Sequence, residues 1–279
     1  DAVRALALKA RDGDAQAATA LEKAAGGGDS AAAFYVGQLY LQGRVKTHSP
    51  EHAIEWFKRA AVKGHAGAMH QLGTVYERAP AHLRDLAKAR EWYRRGAEHN
   101  SAPSQTNLGF LLQEGRGGSE DLQAAREWYE KAVAQGQPRA MFLLGMLYFD
   151  ARGVERDDAR AAGLFKDAAD KGDPKAQYRL AIMLGAGRGV ARDERAAIEL
   201  ARRAAMKGEP DAQYYFAAVL ARGALGLPKD EPEAVRWLSK AAEQEHAEAQ
   251  FALAIVYDEG RGVRRDPQSS QAAGRACDQ

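Results

Sequence analysis

The chain has 279 residues, 46% of them hydrophobic, and 40 Lys and Arg against 38 Asp and Glu give a formal net charge of +2. That length can bury a sizeable core. The near-neutral, interspersed charge offers no electrostatic basis for wrapping nucleic acid or coating an anionic membrane. No stretch approaches the roughly 18 apolar residues of a spanning helix, so no membrane insertion is expected. The single cysteine, Cys277, has no disulfide partner in the chain and completes no metal site alone.

In chain order, residues 1–28 read as a degenerate N-terminal pair of capping helices, whose second half, DAQAATALEKAAGGG, mimics the back half of the segments that follow. From residue 29 the sequence repeats itself. REWY at 90–93 returns at 126–129, a spacing of 36 residues, and whole blocks align at the same offset. The units are 29–64, 65–100, 101–136, 137–172, 173–208, 209–245 and a partial 246–279, the sixth lengthened by an insertion near GALGLPKD. Each unit holds two runs with apolar residues at helical spacing around a glycine-rich turn, which predicts a helical hairpin.

In the first helix a small residue recurs at Ala32, Ala68, Ser104, Ala140, Ala176, Ala212 and Ala249. A bulky residue follows four places later, on the same face, at Val36, Leu72, Leu108, Leu144, Leu180, Phe216 and Leu253. The next place is Gly37, Gly73, Gly109 and Gly145, then Ala181, Ala217 and Ala254. Glycine costs about 1 kcal/mol inside a helix, so its recurrence predicts an approach too close for a side chain.

The second helix starts at residues suited to capping, Ser49, Asp85, Asp121, Asp157, Asp193 and Asp230. It then carries Trp56, Trp92, Trp128 and Trp237, with Leu164 and Leu200 in the matching places. The tryptophans are expected in the structural core, Trp92→Ala costing about 3–5 kcal/mol. A lone hairpin cannot cover its apolar faces, so the units are expected to stack into one elongated core.

Chemistry is sparse. GAGRGV at 185–190 has the glycines of a phosphate loop but no preceding strand, and inter-helix turns explain it better. His48 and His52 are four apart, as in a metal pair, but a helix start falls between them and no third ligand is near. No serine, histidine and aspartate stand in a nucleophile context. The expectation is no catalytic residue, no cofactor and no metal.

The alternation A…LG…Y…G.GV..D…A..W..KAA..G, from residue 29 to about 265, resembles the Sel1-like repeat, a relative of the tetratricopeptide repeat with a longer turn between its helices. The second unit departs from it with ERAPAHL at 77–83, three units have alanine for the glycine, and two lack the tryptophan. The expected fold class is all-α, a right-handed α/α solenoid of about seven helix-turn-helix repeats.

The resemblance implies that first helices line a concave groove. Two places before the bulky residue, Phe34, His70, Thr106, Phe142, Tyr178, Tyr214 and Phe251 would project into it, with Gln38, Phe110, Met146, Phe149, Arg222 and Glu259 nearby. Aromatics in a groove rimmed by charge suit an interface hot spot; the alternative is that these rings pack between neighbouring first helices. The irregular turns at 77–83 and 223–232 form a second candidate surface.

The expected function is non-catalytic binding of another protein. The alanine- and arginine-rich usage looks bacterial, and bacterial members of the family include immunity proteins, regulators and assembly scaffolds. An immunity protein or inhibitor bound to a toxin or lipase effector, such as a secreted antibacterial protein, is the favoured reading. The alternative is a scaffold or regulator in envelope, polysaccharide or signalling complex assembly. The chain opens on Asp1 rather than methionine, as removal of a leader would leave it, and the expected compartment is the periplasm, with the cytoplasm as the alternative.

Overall fold

A computed structural model describes residues 2–43, 47–269 and 271. Among the described residues there are fifteen α-helices up to residue 259, a further helical stretch at 267–269, and no strand. They are α1 (Ala2–Arg11), α2 (Ala15–Gly26), α3 (Ser30–Gln42), α4 (Pro50–Val62), α5 (Ala66–Arg78), α6 (Leu86–Glu98), α7 (Ala102–Gln113) and α8 (Leu122–Ala134). After these come α9 (Pro138–Asp150), α10 (Asp158–Asp170), α11 (Pro174–Ala186), α12 (Glu194–Met206), α13 (Pro210–Arg222), α14 (Glu231–Ala242) and α15 (Ala247–Glu259). From α3 onward, odd helices are the first of a hairpin and even helices the second, giving the all-α architecture of a helical solenoid. Cys277 lies outside the described residues.

The chain divides into two compact units, Asp1–Ala140 and Met141–Gln279. Within the first, α3 packs on α4, α5 on α6 and α7 on α8, and α4 and α6 pack on the first helix that follows each. Within the second, α11 pairs with α12 and α13 with α14, while α10, α12 and α14 pack on α11, α13 and α15.

Local chemistry starts the helices where the pattern predicts. Ser49, Asp85, Asp121, Asp157, Asp193 and Asp230 each cap a second helix by accepting from the backbone N–H three residues on, as Asp85 does from Lys88 at 3.0 Å. The recurring small residues are fully buried and the bulky residues beside them are buried too, in every repeat. Close packing of second helix on first sets the spacing of each hairpin.

One part of the predicted core is corrected. Trp56, Trp92 and Trp128 are only partly buried, and cationic side chains lie over their rings: Arg59 at 4.5 Å, Arg95 at 4.7 Å and Lys131 at 3.9 Å from the centroids. The fully buried ring is the next residue, Phe57, Tyr93, Tyr129 or Phe165. Adjacent helical residues point about 100° apart, so a tryptophan beside the core ring lies at the edge of the ridge, where its indole covers the seam. Trp237 is buried, at 8% exposure, edge-on to Phe216 with centroids 5.7 Å apart.

The turns join successive hairpins. In the turn after α11, Gly187 takes the left-handed cap and Arg188 reaches back to Asp158 in a two-point ion pair of 2.8 and 2.9 Å. The following Gly189 rests on the main chain of Asp158 at the start of α10. Gly117 on Leu86 and Gly262 on Glu231 repeat that approach.

A candidate protein-binding face

Successive first helices carry the residues expected to meet a partner. In the first unit these are Phe34 on α3, His70 on α5 and Phe110 on α7. In the second they are Phe142, Met146 and Phe149 on α9, Tyr178 on α11, Tyr214 and Arg222 on α13, and Phe251 on α15. Phe34, His70, Phe110, Phe142, Met146, Phe149, Tyr178 and Tyr214 are half-buried; Thr106 is buried; Arg222 and Phe251 are exposed, Phe251 to 61%.

What covers one side of these rings is frequently the start of the next first helix. His65 caps α5 through its Nδ1, which accepts the Ala68 N–H at 3.1 Å, and its ring stacks on Phe34 with centroids 4.5 Å apart. His246 does the same for α15: Nδ1 accepts the Ala249 N–H, the ring stacks on Tyr214 at 5.2 Å, and Nε2–H donates to Asp211 at 3.0 Å. Accepting at Nδ1 fixes the proton on Nε2 and so fixes the ring.

Phe142 and Phe149 both lean on Phe165, at 5.8 and 6.2 Å, and Arg188 lies 3.9 Å over Phe149. Phe110 has Arg116 and Arg139 near its ring, at 5.9 and 5.7 Å. The stripe is therefore packing on one side and open surface on the other.

Tyr178 and Tyr214 differ from the phenylalanines. Tyr178 meets Tyr215 edge-on at 5.9 Å, and among the described residues neither the Tyr178 nor the Tyr214 hydroxyl forms a hydrogen bond. Burial, then the nearby Asp211 charge, pushes the Tyr178 phenol up, so it stays a neutral donor. Glu209 heads α13 without a side-chain cap bond, and burial pushes its carboxyl up while Lys175 opposes the shift.

The irregular turns are less free than their sequences suggest. Glu77, at the head of 77–83, accepts from the Tyr93 hydroxyl at 2.9 Å and from Arg116 at 3.1 Å, and it stabilises the hairpin stack. Pro80 then closes a turn by accepting from Leu83 and Arg84, and His82 lies 3.2 Å from Glu51. In 223–232, Gly223 takes a left-handed cap and Leu227 packs against the buried cluster of the second unit.

Composition did not reveal a recurring buried glutamine. Gln105, Gln177, Gln213 and Gln250 each donate to a carbonyl near the end of the preceding second helix, Ala97, Ala169, Ala205 and Ala242, at 3.1–3.3 Å. Their shared place, just after the small residue, is the signal that could have found them. Among the described residues no group of three His, Cys, Asp or Glu could hold a metal ion. His52 instead stacks on Tyr40 at 5.1 Å.

The Sel1 repeat family model matches residues 30–65, 66–101, 102–137, 138–173, 174–209, 210–246 and 247–272. A Sel1 repeat protein from Oxalobacter formigenes is 31% identical in solved structure, over 84% of this chain and 93% of that one, with a TM-score of 0.77. A protective antigen of uropathogenic Escherichia coli with an SLR fold is 28% identical, over 94% of this chain and 64% of its own, at 0.61. An immunity protein from Pseudomonas aeruginosa shares the fold at 22% identity, over 76% of this chain and 80% of its own, with a TM-score of 0.55. No curated protein matches the chain.

Proposed function

This chain belongs to the Sel1 repeat family, and from that premise we propose that it is a non-catalytic bacterial binding protein of the immunity type, which inhibits a secreted antibacterial effector by covering it. Sel1 repeat proteins act through protein–protein contacts, and the immunity protein of the same fold supports the narrower reading. The observation that carries the reading is the first-helix face of the second unit. There Tyr178 and Tyr214 present half-buried rings with unengaged hydroxyls, and Phe251 stands 61% exposed. Rigid aromatics with one dry side and one polar tip suit interface anchors. An inhibitor of an envelope-acting effector would work in the periplasm, which is the compartment proposed.

The test is affinity capture from the proteins secreted by the source bacterium, using the native chain and a Tyr178→Ala, Tyr214→Ala, Phe251→Asp variant of unchanged helical circular dichroism. The native chain should retain one dominant protein, the variant should lose it, and adding the native chain should neutralise that protein's toxicity to cells. Capture without neutralisation would favour the assembly-scaffold reading instead. Equal retention by both chains would remove the first-helix face as the interface.

A further inference from the structure

The second-helix side of the second unit has its own unfilled surface, independent of the tyrosine stripe. Two cavities of about 580 and about 550 Å³ lie side by side there, and Met206 lines both. One is bounded by Phe216, Trp237 and Lys240, the other by Leu200, Gln177 and Lys207. Along the second of them α12 has Leu200 where α6 has Trp92 and α8 has Trp128. Met206 is left 70% exposed.

Each cavity is lined by a residue with a buried polar atom that lacks a partner: Gln177 Oε1 in one and Trp237 Nε1 in the other. Gln177 is 4% exposed and Trp237 8%. A buried polar group without a partner destabilises the free protein, so each is a defect that a ligand repairs. The equivalent glutamines show what is missing. Gln105 Oε1 accepts from Gln135 at 2.8 Å, and Gln213 Oε1 accepts from Gln244 at 2.8 Å. In the repeat of Gln177 that donor's place is Lys207, whose Nζ turns away to the Gly172 carbonyl at 2.6 Å.

We propose that this face binds an extended segment of a partner protein that carries an apolar side chain between acidic residues. The apolar side chain sits on Met206 and Leu200. An extended backbone exposes both N–H and C=O groups, so one N–H donates to Gln177 Oε1 and one C=O accepts from Trp237 Nε1–H; a helix has spent those groups internally. The acidic flanks meet Lys207 and Lys240 on the cavity walls, where Arg202 and Arg203 already pair with Glu199 at 3.0 and 2.9 Å. The carboxylates there, Asp170 and Glu233, are already paired with Lys166 at 3.0 Å and Arg236 at 2.8 Å.

The test is a positional-scanning array of acetylated, amidated hexapeptides probed with the full chain, followed by fluorescence anisotropy on the selected peptide. Selection of acidic residues around a central Leu, Phe or Met is expected, and the indole N–H resonance of Trp237, assigned through Trp237→Phe, should move on titration. Met206→Asp should weaken binding about tenfold or more. Lys207→Gln offers Gln177 an internal donor, so it should weaken binding roughly fivefold without lowering the melting temperature. Selection of no peptide or of basic peptides, or undiminished binding by Met206→Asp, would overturn the proposal. Self-association of the native chain that Met206→Asp abolishes would overturn it too, assigning the face to a second copy.

Discussion

Gly73 lies flat against the ring of Tyr93. A Cβ added to Gly73 would stand 2.5 Å from Cδ1 and Cε1 of that ring, which is fully buried and whose hydroxyl donates to Glu77. Gly37 and Phe57, Gly109 and Tyr129, and Gly145 and Phe165 repeat the relationship. In the fifth repeat alanine replaces both partners, Ala181 and Ala201, and both are fully buried. Glycine and ring are thus one packing unit that changes together.

Gly73→Ala should therefore destabilise the chain by about 1–3 kcal/mol through overpacking, although alanine is the better helix former by about 1 kcal/mol. Combined with Tyr93→Ala, the same substitution should cost nothing further or become favourable. Urea denaturation of the two single variants and the double variant measures the coupling; simple additivity would show that the ring does not exclude the methyl group.

Tyr93→Ala should cost more than Trp92→Ala, although tryptophan is the larger residue. Tyr93 is fully buried, and its removal also strips Glu77 of a donor, so about 3–5 kcal/mol is expected. Trp92 is partly exposed beneath Arg95, and about 1–2 kcal/mol is expected there. Denaturation midpoints of the two variants decide the order.

This inversion shows where the reading of the sequence stopped. The helix starts at Ser49 through Asp230 and the buried small residues from Ala32 to Ala249 were legible, because capping chemistry and side-chain size repeat without exception. The core ring is the residue after the tryptophan, as Tyr93 is after Trp92. Trp92 and Tyr93 both belong to the repeated tetrapeptide, and periodicity alone does not say which of two neighbours points inward. The joint loss of glycine and ring at Ala181 and Ala201 was the available clue. The one-sided cover of the aromatic stripe was not legible, since it depends on which residue caps the next helix: His65 and His246 form a ring stack where Asp29 and Asp173 cannot.

Burial, with Arg78 and Arg139 adding to it, pushes the His70 imidazole down, against an opposing pull from Glu77. Asn107 Nδ2 lies 3.3 Å from His70 Nε2, and Asn107 Oδ1 accepts from Arg139 at 3.1 Å, an arrangement that needs a neutral, accepting Nε2. The folded pKa lies below the unfolded one, so the unfolded chain takes up protons first as pH falls. Stability linked to His70 should be complete above about pH 6.5 and decline below it until the lowered folded value is passed. Urea midpoints at pH 7.5 and 5.5 should differ less for His70→Gln than for the native chain; an equal difference would locate the proton uptake elsewhere.

The glycine-rich turn after α11 should be sensitive to substitution at its second glycine. Gly189 has φ +70°, and a side chain there would run into the main chain of Asp158, with Ala159 N only 2.9 Å from the added Cβ. Gly189→Ala combines left-handed strain with a backbone clash, which no rotamer change relieves, so a loss of about 2–4 kcal/mol is expected. Asp158→Asn tests the ion pair separately. Hydrogen bonds from Arg188 and then Arg156 hold the Asp158 carboxyl well below the usual carboxylate range. Its contribution should be complete above about pH 4 and vanish only as pH falls through the lowered value, so native chain and Asp158→Asn should differ at pH 7 and converge in acid. Hydrogen exchange should show faster opening of residues 187–190 in both variants. Unchanged exchange there would mean that the neighbouring helices, rather than the turn-to-helix contact, hold the turn in place.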